Sequence, residues 1–425
     1  MAEQNISEVD TFRKAYADFL NSAPSSYHAA AQIVEKLSGV GFVEVDEHEP
    51  WIDTNLGFVQ RAGAVVAWRK PRTLQKDAGF RIVGSHTDSP SFKLKPNPNA
   101  FNYGFSQVNV EVYGGPLLNS WLNRDLGLAG LLTTIDGAQY LVKTPPIMTI
   151  PQLAPHLDRS VRQSLQLSEQ QDYHPIWGIG EQDLFSYLAQ NAGVAAEKIA
   201  GFDIYAYNVE PAREFGGEAG DSFFASGRQD NLSSAFASLV GFMNAPESED
   251  VQIYVAFDHE EVGSETFTGA SGPFLEQILR RLSVAAGNSE ENFLRMLANS
   301  SCISADAGHS INPNQAAKHD PNHHPILGSG PMLKINANQR YATEAQGIAL
   351  WLRACLESGQ STQEFVSHND VPCGSTIGPF TASRFGIVTV DVGVPLLSMH
   401  SVREISNVND VFALSEILRA YYAGA

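Results

Sequence analysis

The stretch Val251-Gln252-Ile253-Tyr254-Val255-Ala256-Phe257-Asp258-His259-Glu260-Glu261 decides the fold. A run dominated by β-branched and aromatic residues passes directly into four ionisable ones. Such a run, bounded by polar residues, is the pattern of a strand buried on both faces, and such strands belong to parallel sheets covered by helices. Three further runs end the same way. Arg81-Ile82-Val83-Gly84 leads into Ser85-His86-Thr87-Asp88, and Cys302 to Ala305 leads into Asp306-Ala307-Gly308-His309. Ile387 to Val394 leads, through Pro395 to Met399, to His400. Ligands of open α/β sheets bind beyond the carboxyl ends of the strands, so these scattered endings are expected to converge at one edge of the molecule. A fifth stretch, Ser226-Gly227-Arg228-Gln229-Asp230-Asn231, opens a helix instead.

Outward from this centre, helical and strand-like segments alternate. Asp10 to Leu37 carries apolar residues at helical spacing, with a break at Ser22 to Ser26, which predicts two helices. Gly63 to Trp68 and Gly79 to Gly84 read as strands. Ser233 to Met243, Phe274 to Leu282, Ile348 to Glu357 and Val411 to Tyr422 read as helices. The pattern is that of an α/β fold with a mostly parallel sheet sandwiched by helices. Ser89 to about Phe224 differs: it has Pro- and Asn-rich turns, short strands such as Val108 to Val112 and Tyr140 to Val142, and one helical pattern from Glu181 to Gln190. It is expected to be a β-rich unit, residues 93–225, inserted into a catalytic unit made of residues 1–92 and 226–425.

The chain has 425 residues, room for two or three domains at roughly 150 residues each. Its hydrophobic content of 43% supports a sizeable core. A net charge of -19 repels phosphate backbones and anionic lipid, which argues against nucleic-acid and membrane partners. No stretch approaches 18 consecutive apolar residues, and Met1 to Glu8 has no secretory pattern. The three cysteines, Cys302, Cys355 and Cys373, have no CxxC spacing and read as reduced thiols of a cytoplasmic protein. Any metal is therefore expected on His and carboxylate.

The strand ends supply those types. His86 and His400 with Asp230, Glu261 and Asp306 make five ligands, enough for two divalent ions that share a bridging carboxylate and keep open positions. Such a set suits zinc, and also manganese or cobalt. Asp88 is placed to orient the His86 imidazole. Glu260 is left unliganded, free to act as general base toward the attacking water. Each piece alone has a plainer reading: Asp230 as a helix cap, Asp306 as a turn former. The His319, His323 and His324 cluster, flanked by Pro and Asn, reads as a polar loop, and Gly216 to Gly220 as a flexible turn without the Lys-Ser/Thr ending of a phosphate loop. No Gly-x-Ser-x-Gly elbow occurs, which disfavours a serine hydrolase of that type.

The stretches GSHTDSPSFKLKP, SGRQDNLSS, DHEEVGS, SADAGHS, NQRYAT, PCGSTIGP and MHSVRE, spread over about residues 80–405, together resemble the aspartyl aminopeptidase family of metallopeptidases. The resemblance implies one ion on His86 and Asp306, a second on Glu261 and His400, and Asp230 between them. It also implies that the inserted unit serves dimerisation and that dimers assemble into a tetrahedral dodecamer. His156 resembles the family histidine that reaches a neighbouring subunit's site to stabilise the oxyanion, and His309 and Lys334 resemble substrate-contacting residues. The implied activity is release of an N-terminal residue from peptides, preferably Asp or Glu, with Lys334 or Arg340 as the matching cation. A broader or Leu-preferring aminopeptidase is the alternative. A non-catalytic assembly protein and a two-metal deacylase or carboxypeptidase share parts of the pattern.

Overall fold

The computed structural model describes residues 2–75, 77–217 and 222–425, so the end of the Gly216–Gly220 turn lies outside the described residues. Val251–Phe257 is a strand buried along its whole length, as its composition demands. It lies inside a nine-stranded sheet whose spatial order is Val43–Glu44, Leu56–Arg61, Ala64–Arg69, Val251–Phe257, Phe80–His86, Ser301–Ala305, Val388–Gly393, Met332–Ile335 and Gln363–Val366. The central four strands run parallel, in an order that sets the end of Phe80–His86 between those of Val251–Phe257 and Ser301–Ala305. Antiparallel pairings occur toward both sides, so the sheet is mixed but mostly parallel.

Helices cover both faces. On one, Ala2–Ser22, Ser26–Gly39, Gln229–Asn244 and Val408–Ala423 share a core that includes Tyr16, Phe236, Tyr254 and Trp351. On the other, Phe274–Ala285 packs Phe274, Ile278 and Leu279 against Ile82, Ile253 and Val255. Each such side chain taken out of water contributes about 1.5–3 kcal/mol, which is why a strand with no polar face stays in the middle. The break between the first two helices falls where expected: the Ser25 side chain accepts the His28 N–H and restarts the helix.

A second sheet draws all six of its strands from residues 91–208. Its order is Gln139–Lys143, Leu126–Thr134, Ile199–Asn208, Ser91–Asn102, Phe105–Tyr113 and Ile176–Ile179, and every pairing is antiparallel. It has its own core, with Phe92, Trp121, Leu128 and Ile204, and Phe105–Tyr113 begins by alternating outward and inward residues. The helix expected near Glu181 is present as Leu184–Asn191, capped by the Asp183 side chain. No described helix is long and apolar enough to cross a membrane.

One glycine is required where the sheet delivers Asp306. A Cβ on Gly393 would lie 1.7 Å from the carbonyl oxygen of Asp306. The neighbouring Val392 carbonyl accepts the Asp306 N–H at 2.9 Å, so the two strands close on each other just where Asp306 begins.

Candidate metal centre

Six of the residues singled out by spacing meet at the carboxyl edge of the nine-stranded sheet. His86 ends its strand, Asp306 follows Ser301–Ala305, and Glu260 and Glu261 form a short turn after Val251–Phe257. His86 Nε2 lies 3.4 Å from Asp306 Oδ1 and 3.5 Å from Asp230 Oδ1. His400 Nε2 lies 3.2 Å from Asp230 Oδ2 and 3.4 Å from Glu261 Oε2. Asp230 thus turns one oxygen toward each histidine. Its peptide bond to Asn231 is cis, and its backbone is not helical although it lies in the first turn of Gln229–Asn244. The helix-cap reading of Asp230 fails: Arg228, in a left-handed conformation, holds the cap position.

Three overlapping groups of donors gather here: His86, Asp230 and Asp306; Asp230, Glu261 and His400; and His86, Glu260 and Glu261, with the donor atoms of each group within 4.8 Å of one another. Two buried oxygens, Asp230 Oδ1 and Glu261 Oε1, have no hydrogen-bond partner. Buried carboxylate oxygens without a donor are costly, and a divalent cation resolves that cost. The donor set of imidazole and carboxylate is that of zinc and its neighbours. On both counts the residues present fit a bound metal.

The electrostatics agree. Burial pushes the Glu260 carboxyl up to about 8; His86 pulls the other way, and Asp306 and Asp88 add to the rise. Burial also raises Glu261, with Asp230 beside it. Burial acts against a charged imidazole at His400, yet the hydrogen bond to Asp230 and the charge of Glu261 outweigh it and lift the ring to about 10. For His86 the same desolvation is overcome by Asp230, Asp306 and Asp88. The fold therefore favours positive charge at His86 and at His400, which suits a centre built to hold a cation.

Asp88 does more than orient a ring. Its Oδ1 is 3.3 Å from His86 Nδ1 and accepts the Glu260 N–H at 3.0 Å, while its Oδ2 accepts the Glu261 N–H at 3.1 Å and the Tyr113 hydroxyl at 2.8 Å. Burial of Asp88 works against its charge, but the His86 ring and these donors hold the carboxyl below its usual range. Glu404 plays a matching part, accepting the backbone N–H of Asp230 and of His400. Asn231 donates to the Ala305 carbonyl and accepts the Ala307 N–H, tying the helix start to the strand that delivers Asp306. Spacing did not single out Tyr113, Glu404 or Asn231. The last two stand inside the quoted stretches MHSVRE and SGRQDNLSS, whereas nothing in the sequence marks Tyr113.

The remaining candidates are not members of those donor groups. His309 is exposed, its ring 6.3 Å from that of Phe365. Lys334 is buried: its Nζ donates to the Ala307 carbonyl at 2.7 Å and lies 3.8 Å from Asp306 Oδ2, so its charge is already engaged beside a candidate ligand. Arg340 is exposed on a loop, its Nε donating to the Gly374 carbonyl at 3.3 Å. His156 lies exposed in the stretch that follows Gln139–Lys143, outside the donor groups of the centre. The His319–His324 loop is held by its own contacts, His323 on the Asp320 side chain and His324 on the Asp320 carbonyl, and it forms none of the metal-ready groups among the described residues.

Comparison with known proteins agrees with this geometry. The family model described as aminopeptidase I zinc metalloprotease (M18) matches residues 19–422. The chain is 44% identical to a probable M18 family aminopeptidase 2 of Streptomyces avermitilis, over 96% of both chains. It is 40% identical to the protein of the same description from Stutzerimonas stutzeri, over 98% of this chain and 99% of that one. Among solved structures it is similar to a chain in the cryo-EM structure of the Ape4 and Nbr1 complex, with a TM-score of 0.94, 32% identity and coverage of 98% of this chain and 86% of that one. It is also similar to an M18 aminopeptidase from Thermotoga maritima, with a TM-score of 0.87, 26% identity and coverage of 99% and 97%. With a candidate metal site assembled at and around its strand ends and a family match running nearly from end to end, the chain belongs to the M18 family of zinc metallo-aminopeptidases.

Proposed function

We propose that the protein removes single N-terminal residues from peptides, preferring Asp or Glu, with two divalent ions, zinc in the first instance, bound in the centre. The observation that carries this reading is the position of Asp230, whose two oxygens face His86 and His400 separately. His86 and Asp306 would hold one ion and Glu261 and His400 the other, with Asp230 available to both. The ions, when bound, supply Lewis acidity to the scissile carbonyl and acidify water.

The chain's own residues do the rest. Glu260 is held at the rim of the centre by its N–H on Asp88 and is not needed as a ligand. It takes a proton from the attacking water as the water oxygen bonds to the carbonyl carbon. It then returns that proton to the leaving nitrogen as the C–N bond breaks. Burial keeps its proton affinity high, and cations nearby bring it back toward the working range. His156 is assigned to oxyanion stabilisation in the site of a neighbouring copy, which accounts for its exposure and its distance from this chain's own centre. On this reading residues 93–225 are a dimerisation unit in a catalytic chain of 1–92 and 226–425. The protein is then a homo-oligomer, a tetrahedral dodecamer built from dimers; the similar structure of S. cerevisiae mApe1 is described as a dodecamer. A cytoplasmic setting suits three cysteines that are all unpaired.

A second reading, a broader or Leu-preferring aminopeptidase, is favoured by one observation. Lys334 is already engaged, and Met332, Tyr341 and Phe365 form an apolar cluster on the side of His309. A metal-defined sample assayed on Asp-, Glu- and Leu-anilides separates the two. Faster cleavage of the acidic substrates is expected, and faster Leu cleavage overturns the preference. An N-acetylated peptide should not be cleaved at all, and cleavage of it would point to a deacylase or another exopeptidase.

A further inference from the structure

Asp230 and His400 come from chain segments far apart, and neither sits in regular backbone. Asp230 has φ -83 and ψ 105 within a helical run, and His400 has φ 66, a left-handed value that only local contacts hold in place for a side-chain-bearing residue. One side chain touches both backbones. Glu404 Oε2 accepts the Asp230 N–H at 3.1 Å, and Glu404 Oε1 accepts the His400 N–H at 2.8 Å. We propose that Glu404 is a positioning residue of the metal centre, a two-oxygen clamp that fixes how far apart Asp230 and His400 stand and so shapes the position of the ion they share. This rests on the two-ion reading above.

The platform under the clamp is firm. Glu404 is 1% exposed and begins a short strand, Glu404–Ser406, that pairs with Phe223–Ser226 in the register Ser226 to Glu404. Its backbone carbonyl accepts Gln229 Nε2 at 2.8 Å, and Gln229 is the residue before Asp230. The His400 ring is fixed from the other side, its Nδ1 2.9 Å from the Gly115 carbonyl, which leaves Nε2 facing Asp230 and Glu261. A buried carboxylate beside other carboxylates is expensive, and an apolar residue would fill the space at lower cost. What an apolar residue lacks is two acceptor oxygens. Glutamine supplies only one, and its amide NH2 would face the second backbone N–H, donor against donor. A lost outer contact of this kind weakens metal binding by roughly 10–100-fold in known sites.

The test uses the full-length protein stripped of metal and titrated with Co2+, followed by visible absorption and by competition with a chelator. Wild type should take up two ions. Glu404→Gln should keep one binding step near its wild-type affinity and weaken the other about 10–100-fold, with a changed cobalt spectrum for that step. Glu404→Asp keeps both oxygens on a shorter arm and should fall between; it also carries the test if the Gln variant does not fold. Asp410 provides a matched control. It is buried, accepts the N–H groups of Gly328 and Gly330 at 2.7 Å each, and forms no part of the metal-ready groups. Asp410→Asn should lower thermal stability and leave both cobalt steps unmoved. Unchanged cobalt affinity in the folded Glu404 variants overturns the clamp, as does equal weakening in Glu404→Gln and Asp410→Asn. Uptake of fewer than two ions by wild type would instead count against the two-ion reading itself.

Discussion

His86, Glu260, Glu261 and Asp306 lie at or just beyond the ends of three neighbouring parallel strands, whereas Asp230 and His400 come from a helix start and a left-handed loop position. The first group is delivered by ladder hydrogen bonds that also hold the core: Val251–Phe257 pairs with Phe80–His86 residue for residue, and Ser301–Ala305 pairs with Val388–Gly393. The second group stands outside those parallel ladders: the His400 carbonyl accepts the Leu117 N–H, the Asp230 carbonyl accepts the Ser89 hydroxyl, and Glu404 accepts the N–H of both. A strand end places a ligand as a by-product of folding, while a loop ligand needs a partner dedicated to it. The same contrast appears between the two carboxylates that brace the centre. The backbone N–H groups that Asp88 accepts belong to two residues adjacent in sequence, and those that Glu404 accepts belong to two that only the finished fold brings together.

The largest expected effect probes the strand-end group. Glu260→Gln should lower kcat by about 10²–10⁴-fold with metal content and melting temperature unchanged, checked by steady-state rates beside elemental analysis. Near-normal turnover would remove Glu260 from the chemistry. Asp88→Asn comes next. With one acceptor oxygen in place of two, it must release some of His86, Tyr113 and the two N–H groups, so metal affinity and kcat should fall together, the former by roughly 10–100-fold. If kcat alone fell, Asp88 would belong with Glu260 as a proton-handling group and the bracing role would be lost. The smallest effect on chemistry is none. Burial raises the Asp410 carboxyl from its ordinary value to about 6, so the folded state binds its proton more tightly than the unfolded chain. Its contribution to stability is then full below about pH 4 and is lost as pH rises through about 6. Comparing denaturant midpoints of wild type and Asp410→Asn across that window should show a steeper fall with pH in wild type, with activity equal at pH 7.

The sequence made the strand-end group legible because parallel strands covered on both faces must be apolar throughout, and their ends are therefore marked by the first polar residues after the run. Asp258 to Glu261 after Phe257 is such a mark, and so is Asp306 after Ala305. Asp230 was reachable through the helix it opens, although the structure uses it as something other than a cap. Glu404 stood inside the quoted MHSVRE, but its role was not legible: a three-residue strand has no periodicity, and its two partners lie on different segments. Two helices also escaped the reading. Glu290–Ala298 had a signal that was available, Ser289 as cap followed by two glutamates and by Phe293 and Met296 one turn apart. Gly378–Phe385 is only two turns long and opens on Gly-Pro, which reads equally well as a turn. The six-stranded sheet was visible as a β-rich stretch because half-covered strands alternate, but its order was not, since pairings such as Lys93 with Tyr205 join residues far apart in the chain.

Ser91, where that sheet begins, donates its hydroxyl proton to the Ala206 carbonyl at 2.5 Å, close to where the sheet ends. The β-rich stretch thus leaves the main chain and returns to it at nearly one spot, like a bud on a stem. Residues can be gained, lost or exchanged within it while the crossing order of the hydrolytic strands stays untouched. The exceptions are the few points where the bud touches the stem's working end, the Tyr113 hydroxyl on Asp88 and the Gly115 carbonyl on the His400 ring, and there exchange is not free.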